Sequence, residues 1–558
     1  MKKLAATRPD LRRLAFGRLA VTLALAAVGW ASGPPQVPVP SPSRPAEDFI
    51  GERLFLDTRF AEYFAAHMVD INEPLSAGDP AVETTATVRG SLAGPFAGES
   101  MNCRSCHFVA EFLGETGGGN RTYSDFSRRS ALPRTLNGFS TTPRNAMPMV
   151  GSLRTHGSSA LLHFDGEFAT AEELVASTLV GRNFGWAPQQ QAVAHISRVI
   201  REDDGSSEVA KEGTELFSYR QLFLGADPLL PPYLRIPRAD RLDVTKASDA
   251  QILRLVSKCI AVYMAGLQFQ QDAAGRYVGS PYDAFLRLNH LPERAREKES
   301  AAQYVRRLRV AVEGLRNPVW VDESKRQFRY HAQPFRFSSE ELKGLLIFLR
   351  ASSGNERQHA GNCAACHRPP QFTDFSFHNT GVSQEEFDAG HGEGAFLRLP
   401  IPGLQERNRN YDRFLPQTAR HPAATEHFRR AADSASDAAD LGLWNVYLNP
   451  DMPSPQARLR GLLCRAGNCE SDPVLASTIA RFKTPTLRDL EDSDPYFHNG
   501  SQETLEGAVE FYLRSSRRAQ RGKLRNAPPE FQAISLTDED VRPLAAFLRS
   551  LTENYDEK

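Results

Sequence analysis

Apolar residues recur at intervals of three and four along much of the chain, and sustained apolar–polar alternation is scarce. That periodicity predicts helices with one buried stripe each, and few strands. The clearest segment is "SSEELKGLLIFLR" (338–350), where Ser338 and Glu341 form a capping box ahead of Leu342, Leu345, Leu346 and Leu349. "LTDEDVRPLAAFLRSL" (536–551) opens the same way with Thr537 and Asp540, and Pro543 inside it predicts a kink or a later helix start. "DAQILRLVSKCIAVYMAGL" (249–267) is apolar with helical period, so Cys259 in its stripe reads as a core residue. "GETGGGNR" (114–121) and "LPIPGLQERNRNYDRFLP" (399–416) are polar and interrupted, and read as surface loops or insertions.

The N-terminus departs from this pattern. "MKKLAATRPDLRRLAFGR" is basic, and "LAVTLALAAVGWAS" supplies an apolar run with small residues Gly29 and Ala31 before Ser32. Residues 1–31 read as an export signal, with a short uncleaved anchor as the alternative. Residues 32–46 form a Pro/Ser-rich linker, and the folded part begins near Glu47. A chain of 558 residues has room for roughly two to four domains. Lys plus Arg and Asp plus Glu both number 67, which points away from nucleic acid or an anionic membrane surface.

Chemistry enters through one pentapeptide present twice. "MNCRSCHF" holds Cys103, Cys106 and His107, and "GNCAACHRPP" holds Cys363, Cys366 and His367. Cys-x-x-Cys-His is the attachment signature of c-type haem: two thiols near one face of a turn form thioethers, and the histidine ligates iron. A redox dithiol would not need His in both copies. Zinc would need further ligands, for which His378 is the nearby candidate. Two covalent haems are therefore expected. Cys464 and Cys469 flank "RAGN"; a small disulfide is the first reading for an exported chain, ahead of a metal site or free thiols.

Three further stretches resemble the bacterial di-haem cytochrome c peroxidase and MauG superfamily: "TPRNAMPMVGS" (142–152), "LLHFDGEFATAEELV" (161–175) and "RFKTPTLRDLEDSDPYFHNGSQETLEGAVEFY" (481–512). The resemblance covers about half of the chain and leaves out roughly 187–240, 300–335 and 384–475. It implies a mainly α fold of two cytochrome c-like helical haem domains with long loops and insertions. These are an N-terminal domain over 47–335, where peroxide reacts, and a C-terminal electron-transfer domain over 336–558. It also implies periplasmic reduction of hydrogen peroxide, with electrons from a small cytochrome c or cupredoxin. His107 and His367 become the two proximal iron ligands. A calcium ion between the domains falls to Asn145, Ser493 and Pro495, and a homodimer is a further implication.

Four positions depart from the family. Its second axial ligand at the C-terminal haem is Met, but Tyr512 stands there, and Met452 is the one methionine after the second pentapeptide. Tyrosine at that place resembles MauG, a di-haem oxidase of a partner protein; a phenolate favours ferric and higher iron states. The Trp between the haems is Phe164, which is hard to oxidise. The positions of the family's distal Gln and Glu fall near Leu174 and Phe184, leaving Glu167, Glu172 and Glu173 as the nearest carboxylates for proton transfer and Arg182 to polarise peroxide. Residues 108–144 contain no histidine, so the N-terminal haem is expected to be five-coordinate or water-bound, with His163 a residue that could still reach it. The leading reading is a di-haem peroxidase. The alternatives are a MauG-like oxidase of a protein substrate, a di-haem oxygenase, or an electron-transfer cytochrome.

Overall fold

Two glycines set how the main helices meet. In the computed structural model, helix Ala46–Leu56 crosses helix Asp249–Gly266 at Gly51, where an added Cβ would lie 2.0 Å from the Cys259 carbonyl oxygen. Helix Ser339–Leu349 crosses helix Val541–Arg549 at Gly344 in the same manner, with an added Cβ 2.0 Å from the Pro543 carbonyl oxygen. Any larger residue would push the backbones apart. The described residues are 44–82, 84–87, 90–93, 100–109, 123–124, 141–153, 161–187, 189–322, 328, 333–352, 359–464, 469–491 and 493–553.

The helix predictions are borne out at residue level. Ser338 caps Ser339–Leu349, with its amide donating to Glu341 at 2.7 Å. Pro543 delays rather than kinks its helix: Thr537 and Asp540 cap a 3₁₀ turn, and the α-helix starts at Val541. Cys259 is fully buried. Helices dominate, and the named strands form three two-stranded antiparallel pairs. The pair that matters joins Phe377–His378 to Phe482–Lys483, tying the chain after the second pentapeptide to the "FKTPTLR" stretch.

Three apolar cores organise the described residues. The first draws on residues between Ala46 and Tyr277, and Cys103 packs against it. The second runs from Tyr282 to Leu551, with Cys363 and Tyr512 against it. The third is built by Leu161 together with residues between Phe377 and Ala480. It overturns the surface-loop reading of 399–416. Leu404–Arg409 and Tyr411–Phe414 are short helices, and Arg407, Tyr411, Phe414 and Leu415 are buried. Arg407 can be buried because its guanidinium lies over the Trp444 ring and donates to the carbonyls of Trp444 and Tyr447. The sequence pattern missed this because the apolar residues are isolated rather than periodic. The other loop expectation, 114–121, lies outside the described residues, as does the N-terminal signal and linker up to residue 43. Cys464 and Cys469 form a disulfide. No helix among the described residues is long and apolar enough to cross a membrane.

Candidate functional site

Both pentapeptides fold into the same local shape. Cys103–Ser105 and Cys363–Ala365 are 3₁₀ turns, and the amides of His107 and His367 donate back to Cys103 and Cys363 at 2.9 and 2.8 Å. Asn102 fixes the first turn by accepting from the Ser105 amide and donating to the Leu56 carbonyl at 2.7 Å. Burial pushes the Cys103 and Cys363 thiols up to about 12, so neither is a ready thiolate. The His367 Nδ1 lies 3.0 Å from the Phe372 carbonyl oxygen and must donate to it. That leaves Nε2 as the ligating nitrogen, and burial favours the neutral imidazole that a metal requires.

Each pentapeptide opens onto a cavity, and the two cavities differ. The first, about 970 Å³, is lined by Cys106 and His107, by His163, and by charged residues including Glu167, Arg182, Glu426 and Arg429. The second, about 200 Å³, is lined by Cys363, Cys366, His367 and Tyr512, with apolar walls such as Phe348, Leu487, Val509 and Leu544. Phe164 and Lys483 line both. The Lys483 amide donates to the Phe164 carbonyl at 2.7 Å, while its buried ammonium has no carboxylate partner among the described residues. Burial lowers that amine to about 8.

These features fit haem. Thiol pairs, oriented imidazoles and apolar walls suit a porphyrin, and a buried lysine between the cavities suits its carboxylates. Zinc does not fit with it at the second motif. Cys366, Asp374 and His378 lie close enough together to hold a metal, with His378 Nε2 2.9 Å from Asp374. A thioether-bonded Cys366 would have no thiolate to offer.

The first cavity has a buried belt of charge. Arg144 pairs with Asp165 at 2.7 Å and with Asp440 at 2.6 Å. Arg429 pairs with Asp165 at 3.3 Å and with Glu167, and Arg182 pairs with Glu426 at 2.6 Å. The Gln417 amide donates to the other Glu426 oxygen at 3.2 Å. Burial alone would raise the pKa of Glu167, but Arg429, helped by His163, holds it well below the usual carboxylate range. Arg144 does the same for buried Asp440. Left-handed backbone marks both faces, with φ of 63° at His163 and 55° at Glu426. Non-glycine residues adopt this conformation at a cost, and such strain tends to gather at functional sites.

Of the residues singled out from sequence, Glu167 and Arg182 come together in this cavity. Glu172 and Glu173 do not. They occupy the exposed first turn of helix Ala171–Leu179, where acidic residues offset the helix dipole, and the Ser454 hydroxyl donates to Glu173. Leu174 lines the cavity and Phe184 is in the core, so neither family position offers a proton carrier. Tyr512 lines the second cavity, on helix Leu505–Gln520. Burial and the nearby Cys366 and Cys363 push its phenol upward, and its hydroxyl makes no hydrogen bond to any described residue. The Asn145 amide nitrogen donates to the Pro495 carbonyl at 2.6 Å and to the Phe497 carbonyl at 3.2 Å. The Ser493 hydroxyl donates to the Asp489 carbonyl at 2.8 Å. Sequence reading missed Glu426 and Arg429, whose segment "TEHFRR" carries no motif.

No protein-family model matches the chain. It is 25% identical to the cytochrome-c peroxidase IdrP1 of Denitromonas iodatirespirans over 215 residues, 38% of this chain and 41% of that relative. It is 24% identical to IdrP2 of the same organism, over 34% of this chain and 36% of the relative. The matched part thus spans less than half the length of these curated relatives. Among solved structures, a MauG-like protein associated with microbial copper homeostasis aligns over 93% of both chains at 17% identity and TM-score 0.42. The diheme peroxidase BthA from Burkholderia thailandensis aligns over 92% of this chain and 87% of its own at 18% identity and TM-score 0.42. Those superpositions are too loose to carry an argument, and the weight rests on the motifs, the cavities and the two curated relatives. On these grounds the chain is similar to the bacterial di-haem cytochrome c peroxidase and MauG superfamily.

Proposed function

We propose that the chain is an exported di-haem c-type peroxidase that reduces hydrogen peroxide to water. A small cytochrome c or cupredoxin would supply electrons through the cavity of the second pentapeptide. The observation that supports this most is the contrast between the cavities. The charged one suits a small polar oxidant whose reduction moves protons, and the apolar one suits electron transfer without substrate. His107 and His367 would hold iron, with thioethers at Cys103, Cys106, Cys363 and Cys366. When bound, haem iron supplies one-electron chemistry that side chains lack. Arg182 would orient peroxide, and Lys483 would anchor carboxylates of the bound groups. Export to the periplasm follows from the reading of residues 1–31.

Tyr512 favours a second reading, a MauG-like oxidase acting on a partner protein. Its unpartnered hydroxyl in the second cavity suits an iron ligand. Phe164 between the cavities weighs against it, because phenylalanine does not carry oxidising charge. A calcium ion at Asn145 and Pro495 would require the Asn145 amide to present its oxygen instead of its nitrogen, with Ser493 as a further ligand.

Electron paramagnetic resonance of the resting ferric protein tests the proposal. One high-spin and one low-spin signal are expected, and two low-spin signals would leave an electron-transfer cytochrome instead. Steady-state peroxide consumption with a reduced small cytochrome c then separates peroxidase from protein oxidase.

A further inference from the structure

Both obvious catalytic candidates of the first cavity are held in ion pairs. The two oxygens of Glu167 face Arg429, and one of them also faces His163. Arg182 and the Gln417 amide occupy the two oxygens of Glu426, which is 4% exposed. A carboxylate fixed in this way is a poor shuttle, because taking up a proton would break a buried ion pair.

His163 is placed differently. Its side chain is 34% exposed and lines the cavity that also holds Cys106 and His107. Nδ1 lies 3.1 Å from Glu167 Oε2, and that carboxylate, kept ionised by Arg429, can only accept. Nδ1 therefore carries the proton, and in the neutral ring Nε2 keeps its lone pair. No described residue hydrogen-bonds to Nε2. Phe168 meets the ring edge-on at 4.9 Å, and the turn is closed by the Leu162 amide donating to the Phe168 carbonyl at 2.8 Å. The arrangement is a base, a carboxylate that orients it, and a cation that fixes the carboxylate.

We infer that His163 is the acid–base group of the first cavity, with Glu167 and Arg429 as its positioning residues. The inference rests on the peroxide function proposed above. Nε2 takes the proton from one peroxide oxygen and delivers it to the other, which leaves as water as the O–O bond breaks. Two electrons from the reduced donor protein and two solvent protons complete the conversion of one peroxide into two waters. Arg429 comes from the segment that the family resemblance leaves out, so that segment would complete the site.

His163→Asn tests this on the ferric holoprotein, because Asn tolerates a left-handed backbone but offers no base; His163→Gln is the companion variant. Rapid mixing with hydrogen peroxide gives one rate. Rapid mixing with hydrogen cyanide near neutral pH gives a second, independent of turnover, since hydrogen cyanide must also lose its proton to bind iron. Both bimolecular rate constants should fall by about 10²-fold or more while the resting visible spectrum stays unchanged. Changes below about twofold in both rates overturn the inference. So does a resting spectrum that shifts on mutation, which would make His163 an iron ligand. A wild-type protein inert to peroxide would defeat the proposed function, and the cyanide rates alone would then decide the role of His163.

Discussion

The two pentapeptides build nearly identical turns and then open onto unlike spaces. Around His107 the walls bring arginines, carboxylates and a histidine into a cavity of about 970 Å³. Around His367 they bring Phe, Leu and Val side chains and the phenols of Tyr496 and Tyr512 into about 200 Å³. On the proposed reading the local motif would decide where a haem attaches, and the surroundings what it can do. Charge at the first suits proton movement, and its scarcity at the second suits passing electrons without side reactions.

The largest test of this contrast removes one attachment at a time. Replacing Cys103 and Cys106 together by Ser should leave one covalent haem by mass spectrometry and abolish the rapid reaction with peroxide. Replacing Cys363 and Cys366 should also leave one haem, but cyanide should still bind while electrons from a reduced cytochrome no longer arrive. If both pairs give the same phenotype, the division of labour is wrong.

The charged belt can then be broken. Arg144→Met removes the guanidinium that Asp165 and Asp440 share, leaving Arg429 on Asp165, and both carboxylates are at most 2% exposed. Removing one member of a buried pair costs about 3–5 kcal/mol. Urea denaturation should show a loss of that size, with the spectrum of the first haem disturbed more than that of the second. A loss below about 1 kcal/mol would mean that the belt is not a structural feature of the first cavity.

A smaller effect is expected at the other cavity. Tyr512→Phe removes the hydroxyl and keeps the ring packed among Phe497, Phe511 and Phe531. If the phenolic oxygen meets iron, the spectrum and reduction potential of the second haem should change, the first haem remaining as it was. An unchanged second spectrum would make Tyr512 a packing residue and weaken the MauG-like reading.

How much of this was legible in the sequence follows from distance along the chain. The pentapeptides, the capping boxes at Ser338 and Thr537, and the burial of Cys259 depend on neighbours within a turn or two, so local pattern reveals them. Phe164 and Tyr512 could be placed because they stand inside recognisable stretches. Glu426 and Arg429 could not. Their partners Arg182 and Glu167 lie 244 and 262 positions away, and nothing local marks a residue whose role is set by tertiary contact. Glu172 and Glu173 drew notice for the opposite reason, since acidic residues near a motif look functional in sequence while helix-end electrostatics accounts for them. The third core eluded pattern reading too, because Trp444 and Arg407 are buried by contacts between short, aperiodic pieces.

The smallest expected effect is on acid stability. Burial would raise Asp440 and Glu167, but Arg144 and Arg429 hold both below their ordinary values of 3.8 and 4.5. The folded state therefore binds fewer protons than the unfolded chain as these groups titrate, and stability falls as pH falls. Their contribution is whole above about pH 4.5 and is lost progressively below it. Near Cys366 of the second pentapeptide, Asp374 is a comparable carboxylate, which burial would raise and His378 holds low. Acidification from neutrality should accordingly disturb the high-spin haem signal before the low-spin one, followed by paramagnetic resonance on samples frozen across the series. Asp440→Asn should flatten the acid limb for the first signal and leave the second unchanged. Simultaneous loss of both signals would mean that the two cavities share one acid-sensitive core, and the contrast between them would then end at their walls.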